Sequence, residues 1–219
     1  MAHETIKWIG HASFVFEAAG KTIFIDPFNI NVDTGKADII FITHSHFDHL
    51  DLNAIKKIAV ADTHFVAPAE SKSKIPYSNV MPVEPNKSYS VLGIDFETIP
   101  AYNIRKERLG FHPKSNGWVG YIIKAGAERI YHAGDTDFVE EMKSVNADTA
   151  MIPIGGTYTM DVEEAIEAAN TLHSKRIIPM HYKALLGKDG SNLAEEAFRK
   201  SVRNAEIMKE VQEPSYSFK

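Results

Sequence analysis

Asp38-Ile39-Ile40-Phe41-Ile42-Thr43-His44-Ser45-His46-Phe47-Asp48-His49 starts as an apolar run and ends as a cluster of imidazoles around one carboxylate. Positions 38–43 are rich in β-branched and aromatic residues, the pattern of a strand buried on both faces. Side chains alternate along a strand, so His44 and His46 fall on one side and can reach a single ion. The turn that follows swings Asp48 and His49 toward an adjacent position, which makes two neighbouring metal sites. Three imidazoles and a carboxylate within six residues at a buried strand end fit metal binding better than a His-rich surface turn. Asp51 then N-caps a helix with Leu52, Ile55, Ile58 and Ala59 on its apolar face.

The flanking sequence repeats this alternation. Upstream, strands at 5–8, 13–18 and 21–25 form a β-meander punctuated by Gly10 and Gly20. Downstream, short strands reach Pro100 and a long polar loop occupies 101–116, a length usually associated with function. Strands at 117–125, 128–132, 149–154 and 175–180 follow, with a short helix at 137–142. Asp161 and Glu164 open a further helix as a capping box, with Val162, Ala165, Ile166, Ala169 and Leu172 on its buried side. A last helix at 192–208 places Leu193, Ala197, Phe198, Val202 and Ala205 on one stripe, before a closing strand near Tyr216. Strands and helices recur in both halves without a linker, so one α/β domain over residues 1–219 is expected. A distant duplication of two β-rich halves would fit.

Composition narrows the chemistry. The 219 residues are 44% hydrophobic and 24% charged, an ordinary globular balance. A net charge of −5 gives no general attraction for nucleic acid or for an anionic membrane. No apolar run approaches bilayer-spanning length, and the N-terminus lacks the basic start and apolar stretch of a signal peptide, so a cytoplasmic location is expected. The absence of cysteine excludes disulfides, thiol nucleophiles and cysteine-containing zinc sites, leaving His, Asp and Glu as the strong metal ligands.

The HxHxDH arrangement of 44–49 resembles the hallmark of the metallo-β-lactamase superfamily. Gly10-His11-Ala12-Ser13, Ile25-Asp26-Pro27-Phe28, His132-Ala133-Gly134-Asp135-Thr136, Pro153-Ile154-Gly155-Gly156 and Pro179-Met180-His181-Tyr182 look like successive motifs of one of its branches. That branch holds metal-dependent hydrolases similar to the L-ascorbate-6-phosphate lactonase group. The resemblance implies a four-layer αβ/βα sandwich, two packed mixed β-sheets flanked by helices, with a dinuclear site at one edge. Carried over position by position, it makes His44 and His46 ligands of the first metal, and Asp48, His49 and His181 ligands of the second. Asp135 becomes the bridging carboxylate. The remaining ligand of the first metal is His112 or Asn103, and His112 is favoured because an amide oxygen is a weak zinc ligand.

The resemblance further implies two divalent ions, Zn2+ first and Mn2+ or Fe2+ next, generating a hydroxide nucleophile with Asp48 as its proton shuttle. Asp26 is expected to orient a ligand histidine, and His11 to stand either at the site edge or in a plain turn. His132 reads as a packed core histidine. Lys114 and Tyr182 are candidates for holding an anion or assisting the leaving group, with solvated loop side chains as the alternative. Residues 104–117 carry Arg105, Lys106, Arg108 and Lys114 against Glu107, a local excess that would suit an anionic small-molecule substrate. Phe47, Phe111, Trp118, Tyr158 and Tyr182 could line a pocket or pack between the sheets. The expected function is cleavage of a small ester, lactone or phosphoester. The alternatives are a nucleic-acid phosphodiesterase, disfavoured by the acidic charge, and a metal-binding relative without turnover. A homo-oligomer, with its contact on the last helix, would be compatible with the sequence.

Overall fold

A computed structural model describes residues 6–212. Six strands build the first sheet in chain order: β1 (Lys7–Gly10), β2 (Ser13–Ala18), β3 (Lys21–Ile25), β4 (Ile39–Phe41), β5 (His64–Pro68) and β6 (Val80–Val83). The β1–β2 and β2–β3 pairs are antiparallel and the rest parallel. Six more build the second: β7 (Ser88–Val91), β8 (Ile94–Pro100), β9 (Val119–Ala125), β10 (Glu128–His132), β11 (Thr149–Pro153) and β12 (Arg176–Met180). This sheet is antiparallel from β7 to β10 and parallel from β10 to β12. Each half of the chain thus contributes one mixed sheet.

The alternation along β4 shows how the layers form. Ile39 and Phe41 point into the core between the sheets, whereas Ile40 and Ile42 point outward to the layer holding α1 (Leu52–Ile58). All four are fully buried, and each contributes roughly 1.5–3 kcal/mol by leaving water. Phe41 meets Phe96 of β8 and Tyr121 of β9 edge-on, each at 5.0 Å between ring centres. The Tyr121 hydroxyl also crosses between the sheets and donates to the Ile42 carbonyl at 2.7 Å. On the second sheet, α2 (Val162–Thr171) packs on β11 and on α3 (Lys183–Ser201), completing the four-layer sandwich.

Most elements lie where the sequence pattern puts them. Asp51 caps α1, accepting from the Asn53 and Ala54 amides, and Asp161 caps α2, accepting from Glu164 N at 2.9 Å. Several details differ. β1 covers Lys7–Gly10 where the pattern predicts 5–8, and its pairing with β2 is bulged between Trp8 and Gly10. The short helix lies at Glu140–Ser144 and is a 3-10 turn. α3 begins at Lys183 rather than 192, with a break at Gly187 (φ 64°), and ends at Ser201. Its buried stripe is Ser191, Ala194 and Phe198, so Leu193 and Ala197 face solvent, as does Leu52 on α1. The strand expected near Tyr216 and Thr5, the first residue of the strand expected at 5–8, lie outside the described residues. Among the described residues no helix is long and apolar enough to cross a membrane.

Candidate metal centre

Every side chain of the histidine–aspartate cluster follows the C-terminal end of a strand: His11 after β1, Asp26 after β3, His44 to His49 after β4, Asn103 and His112 after β8, Asp135 after β10 and His181 after β12. Strand ends of this kind gather side chains from distant sequence positions at one edge. Beyond β4, the amides of His49 and Leu50 both donate to the His46 carbonyl, at 3.1 and 2.8 Å, and the resulting turn folds Asp48 and His49 back toward the sheet edge. Three non-glycine residues at this edge, His11, Asp26 and His181, have φ values of 55°, 44° and 59°. Such conformations cost free energy and persist where surrounding contacts hold them. Here the His181 amide donates to the His11 carbonyl at 3.0 Å.

Asp135 stands at the centre. Its carboxylate lies 3.2 Å from His181 Nε2, 3.3 Å from His49 Nε2, 3.3 Å from His112 Nε2 and 4.0 Å from His44 Nε2. Two sets of donor atoms flank it, each mutually within 4.8 Å: His44, His46 and His112 on one side, and His11, Asp48, His49 and His181 on the other.

Hydrogen bonds behind the imidazoles fix their tautomers. His49 Nδ1–H donates to Asp26 Oδ2 at 2.7 Å. The Thr43 hydroxyl donates to the same oxygen at 2.6 Å, so it accepts from His44 Nδ1–H at 3.0 Å. Asp26 Oδ1 accepts from the Thr43 amide at 2.7 Å. His112 Nδ1–H donates to Asn103 Oδ1 at 2.8 Å. A neutral imidazole protonated at Nδ1 has a bare lone pair at Nε2, so these three rings present lone pairs to a carboxylate. His49 Nε2, His112 Nε2, His181 Nε2 and Asp135 Oδ1 have no hydrogen-bond partner among the described residues, although all are buried. Lone pairs converging in a buried site call for cations, so the residues fit divalent metal.

The electrostatics agree. Burial opposes charge on His49, yet the carboxylates of Asp135, Asp26 and Asp48 hold it well above the ordinary histidine range. Burial likewise opposes charge on His181, but Asp135 and Asp48 raise it to about 9. His44 is pushed well down by burial and by His49, and His46 down by burial and by His112. His11 falls to about 3 through burial and the nearby His181. These opposed shifts follow from packing carboxylates and imidazoles into one buried cluster.

The structure brings together His44, His46, Asp48, His49, His112, Asp135 and His181, and places Asp26, Asn103 and His11 immediately behind them. Asn103 offers no oxygen to the cluster: Oδ1 accepts from His112, and Nδ2 donates to Asp137 Oδ1 and the Tyr158 carbonyl, both at 3.0 Å. His11 Nε2–H donates to Asp48 Oδ2 at 2.9 Å. His132 is buried and donates to the Ala12 carbonyl at 2.8 Å.

Two candidates stand apart. Lys114 pairs with Glu141 at 3.0 Å and donates to the Tyr102 hydroxyl at 3.0 Å, away from the cluster. Tyr182 is fully buried, stacks on Trp8 at 5.8 Å and donates to Glu195 at 2.6 Å, because the left-handed turn at His181 sends consecutive side chains in different directions. The charge excess of 104–117 is also largely cancelled. Arg108 is buried against Asp137 at 3.0 Å and Glu164 at 2.5 Å, and Arg105 lies 3.7 Å from Glu164. Counting charges along the loop could not anticipate partners supplied by α2 and by the turn after β10.

Sequence reasoning missed Thr43, Asp137 and Glu70. Glu70, in the 3-10 turn Ala69–Lys74 after β5, accepts from Trp118 Nε1–H at 3.1 Å and from Ser45 Oγ at 3.2 Å, and it pairs with Lys74. The Trp118 ring packs against His44 and His46, each at 4.8 Å, and His112 at 5.7 Å. Only Asp137 carried a sequence signal, its place two residues after Asp135.

Residues 5–181 match the family model of the β-lactamase superfamily domain. A metal-dependent hydrolase of Thermoplasma volcanium is 34% identical over 191 residues, covering 81% of this chain and 82% of that protein. Another, from Thermococcus kodakarensis, is 33% identical over 192 residues, covering 81% and 84%. The crystal structure of a metal-dependent hydrolase from Parabacteroides distasonis shares the fold with a TM-score of 0.81 at 32% identity, covering 94% of this chain and 93% of that one. A metallo-hydrolase from Ignicoccus hospitalis, at 22% identity, has the same fold with a TM-score of 0.75, covering 98% of each chain.

Proposed function

The chain belongs to the metallo-β-lactamase superfamily, and from that premise we propose that this metal-dependent hydrolase uses a dinuclear site to cleave a small ester, lactone or phosphoester. His44, His46 and His112 would hold one divalent ion and Asp48, His49 and His181 the other, with Asp135 shared between them. Zn2+ suits this donor set, and Mn2+ or Fe2+ are accepted by the same ligands. One observation carries the reading: the Asp135 carboxylate faces imidazole Nε2 atoms from both donor sets at 3.2–4.0 Å.

Bound divalent ions would supply a water of near-neutral pKa and polarise the attacked oxygen. The protein's own groups do the rest. Asp26, Thr43 and Asn103 hold His49, His44 and His112 in the tautomer that leaves Nε2 bare. Asp48, held at Oδ2 by His11, borders the open cleft and is the group placed to accept the proton that water loses and return it to the leaving oxygen. In ester cleavage the hydroxyl of water joins the acyl carbon, the C–O bond breaks with its electron pair on oxygen, and that oxygen takes the proton.

The test is metal content per chain by inductively coupled plasma mass spectrometry on protein purified without chelator. About two equivalents are expected in the wild type, falling toward one in His112→Ala even with metal in excess, whereas Asn103→Ala regains two once metal is supplied at saturation. No tightly held metal, even after supplementation with zinc or manganese, would overturn the reading.

A further inference from the structure

The walls of the cleft above the metal centre point to what the hydrolase accepts. The cleft encloses about 210 Å³ and is lined by His46, Asp48, His112 and Asp135 on its floor and by Phe47, Phe111 and Tyr158 around its rim. Phe111 and Tyr158 meet edge-to-face at 4.8 Å between ring centres, and Phe47 packs against Phe28 at 6.1 Å. Phe47 and Phe111 nevertheless expose 67% and 39% of their surface. Large aromatic side chains kept this open beside a polar cluster commonly mark a binding site.

No lysine or arginine is among the described residues lining this cleft. Of the four cations of the neighbouring loop, Arg105, Arg108 and Lys114 are each paired with a carboxylate, and Lys106 is exposed and does not line the cleft, which leaves them poorly placed to select an anion. Size adds a bound, since an apolar cavity of about 150 Å³ holds one benzene ring. The cleft therefore has room for a ring-sized group together with the bond to be cleaved.

We propose that the substrate carries an uncharged, apolar group of about one ring's bulk next to the scissile bond, seated among Phe47, Phe111 and Tyr158. This rests on the hydrolase reading above and narrows it toward neutral esters or lactones, away from sugar phosphates and other anionic substrates. The aromatic rim selects the substrate by burying that group, which leaves the bond to be cleaved beside Asp48 and the donor atoms of the metal centre.

The test uses the full chain loaded with metal and compares para-nitrophenyl phenylacetate with para-nitrophenyl hemisuccinate and para-nitrophenyl phosphate. The phenylacetyl ester should be preferred in kcat/KM by about tenfold or more, and Phe111→Ala or Phe47→Ala should shrink that preference several-fold, mainly through KM. A second measurement follows binding of the unreactive, neutral N-benzylacetamide by saturation-transfer NMR, with phenyl phosphate for comparison. Preference for the hemisuccinate or the phosphate, or a preference unaltered in both aromatic variants, would overturn the proposal while leaving the hydrolase reading standing. Binding of N-benzylacetamide that is lost in Phe111→Ala, with no turnover of any ester, would support the apolar cleft and overturn the hydrolase reading instead.

Discussion

Asn103 receives two hydrogen bonds from His112, one from Nδ1 at 2.8 Å and one from the backbone amide at 3.0 Å, and its own amide returns a bond to the His112 carbonyl at 2.8 Å. The two residues thus form a closed unit in which Asn103 sets the ring and His112 faces Asp135. Replacing Asn103 with Ala removes the acceptor that fixes the tautomer but not the donor itself. We expect metal affinity to fall about 10–100-fold, with stoichiometry restored at saturating metal. A chelator competition titration measures this, and an unchanged affinity would show that the unit has no orienting role.

Asp26 is fully buried and accepts three hydrogen bonds, from the Thr43 amide, the Thr43 hydroxyl and His49 Nδ1. Asp26→Ala leaves those three donors without their acceptor inside the protein. Removing one partner of such a buried ionic cluster costs about 3–5 kcal/mol. Urea denaturation in the presence of chelator should show this loss, which separates the structural cost from any effect of metal. A cost below about 1 kcal/mol would mean that water or another side chain replaces the carboxylate.

Glu70 gives a pH-dependent prediction. Burial works against its charge, but Lys74, Trp118, Ser45 and Ser71 together bring its pKa from 4.5 down to about 2. A carboxyl whose folded pKa is depressed contributes stability that is complete above 4.5 and disappears as the pH falls through about 2. The Tm difference between wild type and Glu70→Gln, measured in chelator, should therefore be constant near neutrality and narrow below pH 4.5. A difference that stayed flat down to pH 3 would indicate a packing effect, with flatness judged against the roughly 1.4 kcal/mol expected per unit of pKa shift, much reduced by solvent at this half-exposed site.

Gly155 lies so close to His181 that an added Cβ would overlap the His181 carbonyl oxygen and the Leu185 side chain. Gly155→Ala must displace the left-handed turn at His181, at a cost of about 1–3 kcal/mol. Because His181 faces both Asp135 and Asp48, the variant should also hold metal less tightly than the wild type. Unchanged metal content and Tm would show that the turn can move without disturbing the site.

Much of this site was legible in the sequence because its main donors sit in one short segment. The apolar run 38–43 fixed a buried strand, and the alternation of His44 and His46 followed from strand geometry. His112 was preferred on ligand strength, and the structure turns it rather than Asn103 toward Asp135. The role of Glu70 is illegible because it depends on contacts across the fold, with Trp118 lying 48 residues away, whereas Asp137 is signalled only by its place two residues after Asp135. Lys114 and Tyr182 were misplaced for a related reason, since adjacency to a motif in sequence says nothing about the direction a side chain takes. The early start of α3 is illegible because Gly187 is non-helical, so the turn of helix from Lys183 before it is too short to give a periodic signal.

The Tyr121 hydroxyl reaches across the sandwich to the Ile42 carbonyl, two residues before His44. His11, Asp26 and the 44–49 segment ride on one sheet, whereas His112, Asp135 and His181 ride on the other. The site is therefore a gauge of registry between the two halves of the molecule: sliding one sheet by an ångström separates Asp135 from His49 while leaving each sheet's own hydrogen bonds intact. A Tyr121→Phe protein would remain folded, and its first detectable defect would be weaker retention of metal.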